Sequence, residues 1–317
     1  MKPVAAISIS IAPLALAAAA SAQPQAGDES GRCAIPFSAA SQLRARVGAP
    51  SPDILNAFTR SGAKDVGPHT LTDAEWKTVD AAIAALPRLH RDVLQRHLRR
   101  ISFVDASSGA GNALTSVAEP ACGEGLFDLT LRAGLLGETL TGFLSGKEAG
   151  LFTDDGSGTT VRIEAGAMPA APYILLHEST HIVDGVLGLS RRTDAAFRKE
   201  AWDAEGSRAL APKLAANPIN GIAWRGGAKL PIGDAANLYR GLQATPFVSL
   251  YASVAPSEDL AELVAWQQLS ARWHVPLRIV VRGADGATAF AYKPLEAPAV
   301  RARMAGVSAL LAASNGS

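Results

Sequence analysis

The sequence predicts an α+β fold built around one principal domain. Helical periodicity dominates before residue 100, short strand-like runs separated by Gly and Ser follow, and helical patterns return beyond residue 170. This order of helices, then strands, then helices is typical of the α+β class rather than of alternating βαβ units. Of the 317 residues, 48% are hydrophobic and 19% are charged, so the chain can build a substantial core.

The first 22 residues have the composition of a secretory signal peptide. Lys2 gives a positive start, residues 4–20 are apolar, and residues 20–22 are small, as a cleavage site requires. An uncleaved anchor is less favoured, because Pro13 and two serines interrupt a run that is short for a membrane span. Cleavage removes only one charge, that of Lys2, and leaves a formal net charge of zero. We expect a secreted or periplasmic protein whose mature chain has no membrane span.

Cys33 and Cys122 are the two cysteines, and in an oxidising compartment such a pair predicts one disulfide. Two free buried thiols are the alternative. Residues 23–100 are predicted to form a flexible, glycine-rich start followed by a helical region. Residues 101–317 then form the principal domain, unless 33–317 is one continuous domain.

Two helices are predicted in the N-terminal region. Thr72 and Glu75 form a capping box at the start of 70–86, where apolar residues recur at helical spacing. Pro87 ends this helix, and a second helix is predicted over 88–100.

The histidines and basic residues of the second helix do not indicate a ligand site. His90 and His97 lie on one face, but no nearby carboxylate or Cys completes a ligand set, so they are interpreted as surface or interface histidines. The basic run 96–100 is short and ends the helix, where the helix dipole favours cations. With a net charge of only +1, nucleic acid is not an expected partner.

The later elements alternate between strand-like runs and helical patterns. Strands are predicted at 101–105, 126–136, 159–167 and 275–283. Helices are predicted at 171–187, 191–210, 256–273 and 298–313. Residues 213–247 are rich in Gly, Pro and Asn and are predicted to be a long irregular connection, a feature that is often functional in a compact domain.

The segment His-Glu-Ser-Thr-His at 177–181 is the strongest candidate for a functional site. Residues four apart share one face of a helix, so His177 and His181 can bind one metal ion through their ring nitrogens. Glu178 lies on an adjacent side and can take a proton from a water whose pKa the metal lowers. Apolar residues flank the segment, and polar side chains in a buried helix require a partner.

A catalytic zinc site also requires a third protein ligand. His274 is one candidate. Glu258 is favoured, because Glu262 follows it by one helical turn among apolar residues and can accept a hydrogen bond from a ligand histidine. An acid at a helix N-terminus is the alternative interpretation of Glu258, but it does not explain Glu262. Asp184, three residues after His181, either orients a ligand histidine or is a solvated acid.

The blocks HESTHIVD and SLYASVAPSEDLAE resemble the gluzincin metallopeptidases, in particular the branch typified by the toxin protease lethal factor. That branch combines H-E-x-x-H-x-x-D with a later E-x-x-A-E. It also has a tyrosine seven residues before the ligating glutamate, which is the offset between Tyr251 and Glu258. The resemblance covers these two blocks, separated by a long stretch, and carries no information about substrate preference.

The resemblance implies a zincin-like metallopeptidase domain with one Zn²⁺ ion bound by His177, His181 and Glu258. It implies four further roles, namely Glu178 as general base, Tyr251 as hydrogen-bond donor to the oxyanion, and Glu262 and Asp184 as supporting residues. The implied fold has a sheet edge strand over the active-site helix and a mostly helical C-terminal part. By analogy with zinc peptidases, 159–167 is the candidate edge strand that pairs with an extended substrate.

The expected function is therefore that of a secreted or periplasmic zinc metallopeptidase, a hydrolase acting on protein or peptide substrates. One alternative is a non-catalytic, zinc-stabilised binding protein of the cell envelope, which would not need Glu178. A second alternative is a zinc hydrolase acting on cell-wall peptides or other amide bonds, which the sequence does not distinguish from general proteolysis.

Overall fold

The computed structural model describes residues 33, 37–107, 111–119, 122–193, 195–203, 208–220, 222–224 and 227–313. Over these residues the chain is a mixture of helices and mixed sheet, so the predicted α+β class is confirmed. The helices are α1 Pro52–Arg60, α2 Asp73–Ala85, α3 Arg88–His97, α4 Leu140–Ala149, α5 Ala171–Leu187, α6 Ala235–Gln243, α7 Pro256–Trp273 and α8 Pro298–Ala313. The strands are β1 Gly67–Pro68, β2 Leu98–Asp105, β3 Ala113–Val117, β4 Phe127–Arg132, β5 Phe152–Thr153, β6 Thr160–Glu164, β7 Leu230–Pro231, β8 Arg278–Arg282 and β9 Thr288–Tyr292.

The largest sheet is mixed and has the strand order β1-β2-β4-β3. Strands β2 and β4 are parallel, whereas β3 is antiparallel to β4 and forms an edge of this sheet. A second sheet, β6-β8-β9, is antiparallel throughout, with β6 at one edge. Strands β5 and β7 form a short parallel pair.

Helix α5 runs through the hydrophobic core. Its residues are buried continuously from Ala171 to Val183, and it packs against α2, α3, α7 and β3. One cluster of buried hydrophobic side chains extends from Leu43 to Leu311. The polar side chains of α5 are therefore surrounded by protein rather than by solvent and depend on protein partners.

The N-terminal helices follow their sequence signals closely. The Thr72 side chain accepts a hydrogen bond from the Glu75 amide, and the Glu75 carboxylate accepts one from the Thr72 amide, so the capping box is confirmed. Helix α3 ends at His97, three residues before the predicted end, because the chain from Leu98 onward pairs with β4. The domain boundary predicted at residue 100 falls inside β2, and the core includes side chains on both sides of it.

Two predictions for the later part of the chain were wrong. The described residues of 191–210 form turns rather than a helix, since tertiary hydrogen bonds fix them instead. Arg198 donates to the Ser190 carbonyl, and the Trp202 indole donates to Asp259. The predicted irregular connection over 213–247 contains β7 and the helix α6. By contrast, the predicted ranges of α5, α7 and α8 match the structure.

The predicted disulfide between Cys33 and Cys122 is present and spans a sequence separation of 89 residues. Both the predicted signal peptide, 1–22, and the predicted flexible start, 23–32, lie outside the described residues. Within the described part of the chain, no helix has the length and apolar character needed to cross a bilayer.

Candidate metal centre

Helix α5 presents both histidines on the face that meets α7. Pro172 lies in its first turn, and Gly188 ends it in the left-handed conformation at φ 63°, which glycine adopts without strain. His177 and His181 are one turn apart and only 5% and 6% exposed. Both imidazoles are therefore fixed inside the protein and need polar partners there.

Helix α7 supplies the carboxylates that face these histidines. Pro256 lies in its first turn, and Glu258 and Asp259 follow, where the helix dipole favours acids. The Asp259 carboxylate contacts Arg303 of α8, which leaves Glu258 as the acid of this turn that reaches the histidines. Glu258 is 4% exposed.

The three side chains converge on one point. The Glu258 Oε2 atom lies 3.1 Å from His177 Nε2 and 3.4 Å from His181 Nε2, and the two Nε2 atoms are 3.2 Å apart. Tetrahedral bonds of about 2.0–2.1 Å would place neighbouring ligand atoms about 3.3–3.4 Å apart. These buried ligand atoms are therefore spaced as three corners of a tetrahedral metal site.

The electrostatics of the cluster also suit a cation. Burial lowers the pKa of His177, but the neighbouring carboxylates of Glu258 and Glu262 outweigh burial and raise that pKa to about 9. Burial raises the pKa of Glu258, but the charges of His181 and His177 move it far below its ordinary value. The carboxylate thus stays ionised in the core, where a positive partner is required. A metal ion would replace the proton between two ring nitrogens that are 3.2 Å apart.

Glu262 supports the cluster from the next turn of α7. Its Oε1 atom lies 3.1 Å from His177 Nδ1. This pair does not have hydrogen-bond geometry, so the contact is mainly electrostatic. The Tyr173 and Ser249 hydroxyls donate to the Glu262 carboxylate, the second at 2.7 Å. Burial raises the pKa of Glu262, but His177 and Lys147 outweigh burial and lower it to about 2. This ionised acid can orient His177.

Glu178 follows His177 directly on α5 and does not belong to the group of converging ligand atoms. Its Oε2 atom accepts a hydrogen bond of 2.8 Å from the Thr115 hydroxyl. Thr115 belongs to the edge strand β3, which packs against α5. Sequence reasoning missed both the strand and this contact, because β3 is short and carries two hydroxyl residues in its five positions.

Tyr251 reaches the cluster from the short 3-10 helix Tyr251–Val254, just before α7. Its ring centre lies 5.9 Å from that of His177 and 5.1 Å from that of the Trp224 ring. The Lys147 ammonium lies 3.2 Å from the Tyr251 ring centre. Sequence reasoning missed Lys147 and Trp224, since neither belongs to a pattern that marks a metal site.

Several other candidates lie apart from this cluster. The Asp184 carboxylate accepts hydrogen bonds from the Ser190 amide at 2.6 Å and the Ser190 hydroxyl at 2.5 Å, so its described partners lie in the turn after α5. His274 caps the end of α7 at φ 54° and is exposed. The surface assignment of His90 was wrong, because that side chain is fully buried and bonds Thr180 at 2.9 Å. His97 donates a hydrogen bond through Nδ1 to the Gly125 carbonyl and is partly exposed.

Comparisons with protein-family models, with curated proteins and with solved structures give no match to this chain.

Proposed function

We propose that this protein is a zinc-dependent metallopeptidase of zincin-like fold, related to the gluzincins. One observation supports the proposal above all others. Two histidines one turn apart and a glutamate from a second helix place three ligand atoms 3.1–3.4 Å from one another, and Glu178, next to His177 in the chain, takes no part in this set. A two-histidine, one-carboxylate set with an open position suits catalytic zinc.

In this proposal the chain's own residues divide the work. His177, His181 and Glu258 hold the ion, and Glu262 orients His177. When bound, zinc would act as a Lewis acid and lower the pKa of a water molecule. Glu178, held by Thr115, takes a proton from the attacking water and delivers it to the leaving amine. Tyr251 donates a hydrogen bond to the oxyanion that develops on the peptide carbonyl.

The edge strand in this proposal is β3 rather than the strand expected from the sequence. Strand β6, within the predicted run 159–167, is an edge strand but packs against α4. Strand β3 is the edge strand that contacts α5, and its Thr115 bonds Glu178. An extended peptide that added to β3 through main-chain hydrogen bonds would pass next to the general base.

Substitution of Glu178 tests the proposal. We expect Glu178→Gln to retain one zinc per chain, measured by elemental analysis, and to lose cleavage of a peptide library by a factor of at least about a hundred. The matched control is Glu124→Gln, at an exposed position, which should cleave as the wild type does. Bound zinc with no cleavage by the wild type would instead favour a non-catalytic zinc protein. Cleavage confined to cell-wall peptides would favour the narrower hydrolase.

A further inference from the structure

A lysine with no acidic partner in contact lies beside the metal cluster. Lys147 of α4 places its ammonium 3.2 Å from the ring centre of Tyr251 and 5.5 Å from that of Trp224. The Tyr251 ring in turn lies 5.9 Å from that of His177, centre to centre. A single aromatic side chain therefore separates this cation from a proposed metal ligand.

The aromatic rings satisfy this ammonium only in part. Cation–π contacts stabilise the charge, but they occupy none of its three N–H donors as a carboxylate would. Among the residues that the structure describes, no oxygen lies within hydrogen-bond or salt-bridge distance of Lys147 Nζ. Burial lowers the pKa of Lys147, and the charges of Glu262 and Glu258 oppose that effect from beyond contact distance.

The surroundings leave one direction from which a partner can approach. Lys147 keeps part of its surface open to solvent. On the side of Tyr251 and Glu262, the adjoining cavity has a volume of about 20 Å³, enough for one water molecule and too small for a carboxylate. An anionic group cannot enter through this cavity, so the partly exposed side of Lys147 is the direction of approach.

We propose that the Lys147 ammonium binds a carboxylate of the substrate next to the metal centre, with Trp224 as one wall of this subsite. The inference rests on the proposed function and specifies its substrate class. The acids whose charges act on Lys147, namely Glu262, Glu258, Glu148 and Glu178, repel such a group, so Lys147 determines where the carboxylate binds. The carboxylate is either a free C-terminus or an Asp or Glu side chain.

Three peptides with the same cleavable sequence distinguish these sources. One is neutral with an amidated C-terminus, one has a free C-terminal acid, and one is amidated but carries a Glu side chain. We expect the wild type to cleave at least one acidic peptide with a kcat/KM roughly tenfold or more above that of the neutral peptide, as a charged hydrogen bond provides. Lys147→Met should lose this preference, and Lys147→Arg should keep it in part. Lys293→Met, which removes an exposed lysine paired with Glu296, is the matched control for net charge.

Each outcome is decisive. Preference for the free acid alone identifies a terminal carboxylate, and preference for the Glu peptide identifies a side chain. Equal cleavage of all three peptides overturns the carboxylate subsite and leaves the peptidase proposal intact. A preference that survives in zinc-loaded, folded Lys147→Met overturns the role of Lys147, and Lys147→Gln replaces that variant if it does not fold. A wild type that binds zinc and cleaves no peptide overturns both proposals.

Discussion

Glu262 holds His177 in place even though it does not reach the proposed ion. It lies at the His177 Nδ1 atom and is itself fixed by Tyr173 and Ser249. Two of these partners come from α5 and one from the segment before α7, so the orientation of one imidazole depends on both parts of the site. A histidine oriented in this way would keep its ring nitrogen aimed at the proposed metal position without rearrangement.

Thr115 fixes the proposed general base in a comparable way. We expect Thr115→Val to lower kcat about tenfold while zinc content stays at one per chain, because Glu178 loses the hydrogen bond that orients its carboxylate. Steady-state kinetics and elemental analysis measure the two effects. Thr115→Ser keeps the hydroxyl and should retain most of the activity. A Val variant with an unchanged kcat would show that Glu178 does not need this contact.

At the residue scale the sequence predicted the ligand set but not its surroundings. His177, His181 and Glu258 follow from helical spacing and residue chemistry, and the structure brings them together. Thr115, Lys147 and Trp224 reach the site from segments distant in sequence, each as a single side chain without a pattern. Such contacts depend on tertiary packing, which periodicity does not encode.

At the scale of elements, the packing of α3 on α5 is what buries His90. The His90 Nε2 atom bonds the Thr180 hydroxyl, which donates to the Leu176 carbonyl. The hydroxyl proton is thus already used, so His90 donates through Nε2. Its buried Nδ1 atom has no hydrogen-bond partner among the described residues, which favours the neutral ring. Thr180 lies two residues after Glu178, so this contact joins the N-terminal helices to the site helix.

This contact predicts an acid-sensitive stability. Burial lowers the pKa of His90 from 6.5 to about 3 in the folded chain, so protonation favours the unfolded state. The contribution of neutral His90 to the free energy of unfolding is fully present above pH 6.5. It falls by about 1.4 kcal/mol per pH unit as the pH decreases towards 3. Urea unfolding of metal-free protein between pH 7.5 and 4.5 measures this slope.

The variant His90→Gln isolates the contribution of His90, because glutamine can bond Thr180 and does not titrate. Its stability should fall less steeply with acid than that of the wild type, whatever its absolute value at pH 7.5. His97→Gln, at a partly exposed position, is the matched control and should keep the wild-type slope. Identical slopes for wild type and His90→Gln would contradict the assignment of a neutral, buried His90.

The elements that were predicted correctly are those whose stability is local. Helices α2, α5, α7 and α8 carry caps, prolines or long periodic patterns within themselves. The turns of 191–203 and the helix α6 depend on distant partners, such as the bond from Trp202 to Asp259 and that from Tyr239 to Glu148. Composition alone therefore favoured a helix at 191–210, where turns occur, and an irregular connection at 213–247, where α6 occurs.

At the scale of the whole molecule, the proposed site lies where distant parts of the chain meet. Helices α5 and α7 bring the ligands, β3 of the largest sheet brings Thr115, and α4 brings Lys147. The disulfide joins Cys33 to the connection between β3 and β4, so it constrains the N-terminus and the edge of that sheet together. The Arg99 guanidinium contacts Cys122 Sγ at 2.6 Å and pairs with Asp128.

The disulfide should therefore contribute to global stability more than to the site itself. We expect the double variant Cys33→Ser with Cys122→Ser to lose about 4 kcal/mol of unfolding free energy, because the bridge closes a long loop and restricts the unfolded chain. Neither cysteine belongs to the converging group of His177, His181 and Glu258, so the folded variant should still bind one zinc. Urea unfolding and elemental analysis at low temperature measure both quantities, and reduction of the wild type should reproduce the loss. An unchanged unfolding midpoint would contradict the expected role of the disulfide in global stability. Loss of zinc from the folded variant would show that the metal centre also depends on the disulfide.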